Sequence, residues 1–138
     1  MTIAGYSGTP LIKKLGITED TKLLVIYPPE NYFALLEKDI SAQYCKKTAS
    51  PGLVHLFVTS KKIFENEMKA LEQVWKKNPA IGIWVSWYKK SAGMATDITE
   101  DTIRNYALAH GLVDIKVCAV SELWSGLKLV VPLAKRKN

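Results

Sequence analysis

Residues 53–87 decide the fold, because they contain a strand, a helix and a second strand in succession. The stretch begins with Leu-Val-His-Leu-Phe-Val (53–58), an unbroken apolar run that is typical of a strand covered on both faces. Apolar side chains then recur at helical spacing between residues 63 and 75, and Asn78-Pro79 ends this predicted helix. Ala-Ile-Gly-Ile-Trp-Val-Ser-Trp (80–87) returns to strand character. This succession predicts two parallel strands joined by a crossover helix.

The flanking sequence extends this sheet on both sides. The further predicted elements are a short helix before Gly16, a strand at 22–27, a short helix at 31–38, a helix from Thr99 to a stop at Gly111, and strands at 114–120 and 127–133. The connection between the last two strands, around Trp124-Ser125-Gly126, is too short for a crossover, so they must be antiparallel neighbours.

Residues 40–45 are a second, weaker strand candidate that the spacing leaves unplaced. Only seven residues separate Cys45 from Leu53, whereas a parallel crossover needs a dozen or more. This strand is therefore antiparallel to its successor, an edge element, or absent.

The pattern predicts an α/β fold: a single layered domain with a mainly parallel sheet, helices on both faces and a C-terminal antiparallel hairpin. The chain has 138 residues, of which 48% are hydrophobic and 23% charged, as expected of one globular domain. We assign residues 1–134 to this domain and residues 135–138 to a basic tail.

The charge pattern limits the possible partners. The net charge is +6, and Lys135, Arg136 and Lys137 supply half of it. Arg104 and Arg136 are the only arginines, whereas base readout favours arginine, so sequence-specific nucleic-acid binding is not expected. No apolar run approaches the ~20 residues that span a bilayer, and no leader is visible, so we expect a cytoplasmic protein without membrane contact. The two cysteines have neither the spacing of metal ligands nor the Cys-x-x-Cys spacing of a redox pair.

The pattern from Leu53 onward resembles the back half of the class I methyltransferase fold, which makes the predicted domain a reduced methyltransferase-like one. Methyltransferases of that class hold S-adenosylmethionine with a glycine-rich turn after the first strand. Here that turn reads Tyr27-Pro28-Pro29-Glu30-Asn31 and has no glycine. Proline cannot donate an amide, so a standard cradle for this cofactor is not expected. The absence of a Gly-x-Gly-x-x-Gly loop likewise argues against dinucleotide binding, and we expect no cofactor.

Four stretches are similar to a bacterial family known as domain of unknown function 3052. They are Gly5-Tyr6-Ser7-Gly8-Thr9-Pro10 with Lys14-Leu15-Gly16; Trp84-Val85-Ser86-Trp87 with Lys89-Lys90 and Thr96-Asp97; Asp114 with Lys116-Val117-Cys118-Ala119-Val120; and Trp124-Ser125-Gly126-Leu127-Lys128. The resemblance covers nearly the whole chain and implies kinship without an activity.

The candidate site lies at the carboxyl edge of the predicted sheet, where ligands of open α/β sheets bind. Its polar and aromatic side chains suit an anionic or aromatic small molecule, since tryptophan stacks and lysine neutralises charge. They are Ser86, Trp87, Lys89, Lys90, Thr96, Asp97, Trp124, Ser125 and Lys128.

Several of these residues also have a structural interpretation. Trp84 and Trp87 are three apart in a strand and face opposite sides, so at least one belongs to the core. Asp97 is placed to bond loop amides, and Trp124 to pack under its turn. His55 lies in an apolar strand and is predicted to be a buried, hydrogen-bonded side chain.

The sequence therefore favours a ligand-binding protein that transfers no methyl group. One alternative is an atypical S-adenosylmethionine-dependent enzyme in which Asp97 or Ser86 does acid-base or positioning work. Another is a protein-interaction or weak nucleic-acid-binding module that uses the paired lysines. The ligand and the oligomeric state are left open.

Overall fold

The structure, a computed structural model, describes residues 9–136. The motif at residues 5–8 and the last two residues of the basic tail lie outside the described residues. Within the described residues the architecture has four α-helices and five strands: α1 Leu11–Lys14, β1 Leu23–Ile26, α2 Tyr32–Leu36, β2 Leu53–Phe57, α3 Lys61–Lys77, β3 Gly82–Tyr88, α4 Glu100–Ala109, β4 Val113–Ala119 and β5 Trp124–Val130.

The five strands form one sheet in the order β1-β2-β3-β5-β4. Strands β1, β2 and β3 are parallel, and β5 runs antiparallel to both of its neighbours. The predicted α/β fold with a C-terminal antiparallel hairpin is confirmed. The hairpin is inserted so that β5 pairs with β3 and β4 takes the outer edge.

The last strand begins earlier than predicted. It starts at Trp124, which pairs with Tyr88, and ends at Val130. The turn before it is closed by the Ser121 hydroxyl, which accepts hydrogen bonds from the amides of Leu123 and Trp124. Trp124 and Ser125 are therefore strand residues and not part of the turn.

The strand considered for residues 40–45 is absent. A short 3-10 turn, Ser41–Gln43, occupies the segment, and Tyr44 makes a single parallel bridge to Leu23 beside β1. Asp39 accepts a hydrogen bond from the Ser41 amide, and the Gln43 side chain donates to the carbonyls of Thr18 and Thr21. These side-chain bonds favour a turn over an extended segment.

Helices cover both faces of the sheet. On one face, which we call the α3–α4 face, buried strand side chains pack against α3 and α4: Val54, Leu56, Ile83, Val85, Trp87, Leu127 and Leu129. On the other, the α1–α2 face, the strands contribute Leu23, Leu53, Phe57, Trp84 and Trp124. Trp84 and Trp87 thus lie on opposite faces, and both are buried.

The two long helices begin at side-chain caps. The Ser60 hydroxyl accepts a hydrogen bond from the Ile63 amide at the start of α3. Thr99 and Thr102 form a reciprocal capping box at the start of α4, which confirms the predicted cap at Thr99. Among residues 9–136, every helix falls short of the length and hydrophobicity that a transmembrane segment requires.

Candidate functional site

The sheet divides the nine candidate residues instead of collecting them. Trp87 pairs with Ser125 and Tyr88 with Trp124, so the two candidate tryptophans lie on adjacent positions of opposite faces. Trp87 packs in the α3–α4 core and Trp124 in the α1–α2 core. They cannot grip one ligand together.

Lys128 lies away from the carboxyl edge altogether. It pairs with Trp84 in the middle of the sheet, and its side chain runs along Gly82 at the start of β3. The prediction that Lys128 joins the carboxyl-edge cluster is wrong, because β5 is antiparallel and carries each later residue toward the opposite edge.

Lys89 and Lys90 follow β3 without forming a site with the others. The Lys89 amide donates to the Leu123 carbonyl at 2.8 Å and so ties the end of β3 to the hairpin turn. Lys90 begins an exposed 3-10 turn, Lys90–Ala92. Of the two, only Lys89 has a backbone hydrogen bond to the hairpin.

Thr96 and Asp97 fasten the loop before α4 to the turn before α3. The Thr96 hydroxyl donates to the Thr59 carbonyl at 2.9 Å, and the Asp97 carboxylate accepts from the Lys61 amide at 2.7 Å. Lys61 is the first residue of α3, so Asp97 satisfies one of the amides that a helix leaves unpaired. Asp97 therefore makes a structural contact, but with the first amide of α3 and not with the amides of its own loop that the sequence suggested.

We expect Asp97→Ala to lower the free energy of unfolding by about 1 kcal/mol, the usual cost of losing a helix-capping acceptor. Asp97→Asn keeps an oxygen acceptor and should lose less. Urea unfolding followed by circular dichroism measures both variants. Equal stability of Asp97→Ala and the wild type would show that this contact does not stabilise the fold.

Ser86 belongs to a buried chain of hydrogen bonds. Its hydroxyl lies 2.7 Å from Nε2 of His55, and Nδ1 of His55 lies 2.8 Å from the Tyr32 hydroxyl. His55 and Ser86 are fully buried and Tyr32 is 3% exposed. Burial lowers the pKa of His55 to about 3 and raises the pKa of Tyr32, so both side chains are neutral at pH 7.

These buried hydrogen bonds place a serine beside a histidine, but neither side chain can reach a substrate. A nucleophile must reach a substrate atom, and the Ser86 hydroxyl is covered on the α1–α2 face. The hydrogen bonds among Tyr32, His55 and Ser86 instead join α2 to β2 and β3 inside an apolar layer. Sequence reasoning predicted His55 as buried and hydrogen-bonded, which is confirmed, but missed its partners.

A cavity of about 410 Å³ opens at the carboxyl edge, on the α1–α2 face. We call it the hairpin cavity, since the β4–β5 turn forms one wall and the helices α1 and α2 form the others. Its lining includes Leu11 and Lys14 from α1, Ala34 and Leu35 from α2, Glu37 after α2, and Glu122 and Trp124 from the hairpin. Of the nine predicted residues, only Trp124 lines it.

Trp124 is held rigidly where it borders the cavity. Its ring stacks on Tyr88 with centroids 4.4 Å apart, and meets Phe57 edge-on at 5.0 Å. Only 7% of its surface is exposed. A ring fixed in this way offers a preformed apolar contact at little entropic cost.

The turn after β1 does not fit S-adenosylmethionine. Tyr27 takes a left-handed conformation (φ 57°), and Pro28 and Pro29 have no amide to donate. The Tyr32 amide at the start of α2 is already bonded to the Pro29 carbonyl. Two positions of this turn therefore have no amide for a cofactor, and the first amide of α2 is already used.

Comparison with solved structures agrees with the fold. An uncharacterised protein from Listeria monocytogenes serotype 4b matches 93% of this chain and 69% of its own, with a TM-score of 0.57 and 7% sequence identity. A protein of the NADB-Rossmann superfamily from Streptococcus agalactiae matches 91% of this chain and 69% of its own, with a TM-score of 0.48 and 7% identity. A candidate tRNA (m1A22) methyltransferase from Streptococcus pneumoniae, solved with S-adenosyl-L-methionine, matches 92% of this chain and 61% of its own, with a TM-score of 0.49 and 9% identity.

The likeness to the Listeria monocytogenes protein extends over nearly all of the chain and supports the fold described above. At such low identity it shows the fold alone. No protein-family model and no curated protein matches the sequence. The similarity to domain of unknown function 3052 therefore stays a prediction.

Proposed function

We propose that the protein binds a small aromatic molecule in the hairpin cavity and transfers no methyl group. The observation that carries the proposal is the fixed Trp124 ring at the wall of a cavity on the carboxyl edge of the sheet. Ligands of open α/β sheets bind at this edge. A volume of about 410 Å³ is within the range of small-molecule pockets.

The charges around the cavity favour an aromatic ligand over an anionic one. Lys14 is the only cationic side chain among the described lining residues, whereas Glu37 and Glu122 contribute two carboxylates. Like charges raise the cost of binding, so an anion gains nothing from this surface. The apolar walls formed by Leu11, Leu35 and Trp124 suit a planar ring.

Methyl transfer is excluded from the proposal because the turn at residues 27–31 does not fit its usual cofactor. The methyltransferase-like fold supports a strand-edge site, and fold alone does not carry an activity. Saturable binding of S-adenosylmethionine would reverse this part of the proposal.

A thermal-shift screen tests the proposal. The compounds are indole, adenosine, benzoate, succinate, S-adenosylmethionine and a short oligonucleotide, each against the wild type and Ala34→Phe. We expect indole or adenosine to raise the melting temperature of the wild type. A ligand at a hundred times its Kd stabilises by about 2.7 kcal/mol, which is several degrees for a chain of this size.

Ala34→Phe should abolish that rise, because Ala34 is exposed on α2 at the lining of the cavity and a phenyl ring there would take up space that the ligand needs. Ala42→Phe is the matched control, since Ala42 is also exposed and lies outside the described cavities. A ligand whose effect survives Ala34→Phe binds elsewhere. A response only to the oligonucleotide would instead favour a nucleic-acid-binding module.

A further inference from the structure

A second cavity lies at the opposite edge of the sheet. It has a volume of about 450 Å³ and is bordered by the residues that enter β1, β2 and β3. We call it the amino-edge cavity. Its floor has few side chains, since Gly16, Gly52, Ala80 and Gly82 all line it. The amides of Gly16, Gly52 and Gly82 already donate to backbone carbonyls, so side chains must supply the contacts to a ligand.

The Lys128 side chain is directed into this cavity by close packing. A Cβ built on Gly82 would lie 2.9 Å from Cε of Lys128, so a side chain at position 82 would displace this lysine stem. The ammonium group lies 3.8 Å from the Cβ position of Gly16 and 6.0 Å from the centroid of the Trp84 ring. Cation–π contact with Trp84 helps to fix its position.

Positive charge is in excess at this cavity. Lys22, Lys128 and Arg136 line it, against the single carboxylate of Asp20. None of the ion pairs among residues 9–136 involves Lys128. Burial, followed by the nearby Lys116, lowers the pKa of Lys128, as expected for a cation that lacks an anionic partner.

A half-buried ammonium without a counter-charge costs stability unless a ligand supplies one. Three cations around a floor of small residues match a compact, multiply charged oxyanion. We propose that the amino-edge cavity binds a phosphate group through Lys128, Lys22 and Arg136. This site is separate from the hairpin cavity, and its existence does not depend on the function proposed there.

Isothermal titration calorimetry tests the site with three compounds: inorganic phosphate, adenosine monophosphate and adenosine. Added chloride salt keeps the ionic strength the same in every titration. We expect saturable binding of at least one phosphate compound by the wild type. If adenosine monophosphate binds more tightly than adenosine and more tightly than inorganic phosphate, the ligand class is a phosphate monoester. Binding of inorganic phosphate that is as tight or tighter would identify the free anion.

Lys128→Met keeps the stem and removes the charge, so it should raise the Kd at least about tenfold, the effect of one charge-assisted hydrogen bond. Lys128→Arg should retain binding. Lys69→Met is the matched control, since Lys69 is exposed on α3. If Lys128→Met does not fold, Lys22→Gln and Arg136→Gln take its place, and both should weaken binding. No saturable binding by the wild type, or an unchanged Kd in the charge-removing variants, would overturn the proposal.

Discussion

Acidification from pH 7.5 to pH 4.5 is expected to remove about 2.5 kcal/mol from the free energy of unfolding through His55 alone. The pKa of this buried side chain is lowered to about 3 in the folded protein, against an ordinary value of 6.5. Below pH 6.5 the unfolded chain gains a proton at His55 that the folded chain does not accept. The contribution of His55 to stability is therefore fully present above pH 6.5 and is lost progressively as the pH falls from 6.5 toward 3.

Urea unfolding at half-unit pH steps measures this effect. His55→Gln is expected to be less stable than the wild type at pH 7.5, because it disturbs the bonds to Tyr32 and Ser86. It should nevertheless lose most of the dependence on pH between 7.5 and 4.5. His110→Gln is the matched control, since His110 is exposed at the end of α4, and it should keep the dependence.

The pH range is chosen to separate His55 from the carboxylates. Hydrogen bonds lower the pKa values of Asp39 and Glu72 in the folded protein, so their contributions are lost mainly below the range. A wild type whose stability does not change between pH 7.5 and 4.5 would contradict the buried, neutral state of His55. So would a His55→Gln variant that keeps the full slope.

Trp84→Ala is expected to cost about 3–5 kcal/mol, because Trp84 is fully buried and fills the layer between β3 and α1. Its Nε1 donates to the Leu15 carbonyl at 2.9 Å, so the truncation also leaves that carbonyl without this donor. A loss of this size is a large part of the 5–15 kcal/mol that stabilises a typical domain.

Trp84→Phe separates packing from hydrogen bonding. The variant keeps an aromatic ring against Gly126, which packs so closely that a Cβ built on this glycine would lie 3.2 Å from the indole. It removes the Nε1 donor to the Leu15 carbonyl. We expect a loss of about 1–3 kcal/mol, with the fold retained. Denaturant unfolding of the two variants gives both values. If Trp84→Ala costs less than 1 kcal/mol, the contact between α1 and the sheet does not support the fold as described.

The fold could be predicted because its signals are local. Helical periodicity between residues 63 and 75, the proline after Asn78 and the cap at Thr99 each act over a few residues, and the structure contains the elements that they predict. The short connection after β4 correctly required an antiparallel hairpin. Neither the insertion of β5 between β3 and β4 nor its start at Trp124 has a local signal.

The candidate site could not be predicted to the same extent, because it depends on strand direction and on contacts distant in sequence. Lys128 lies four residues after Trp124 on an antiparallel strand, which moves it about 13 Å away from the carboxyl edge. The hairpin cavity is built by α1, α2 and a turn that are far apart in sequence. One signal was available for Ser86: it alternates onto the same face as Trp84, as His55 does on the neighbouring strand.

The most direct test of ligand binding in the hairpin cavity is a nuclear magnetic resonance titration of ¹⁵N-labelled wild-type protein with indole and with adenosine. Amide shifts report where each compound binds as well as whether it binds. We predict saturable shifts in the hairpin at residues 119–124 and in the α2 segment at residues 31–37, and their loss in Ala34→Phe. Shifts that never saturate, or that lie outside both segments, would contradict a ligand site in the hairpin cavity.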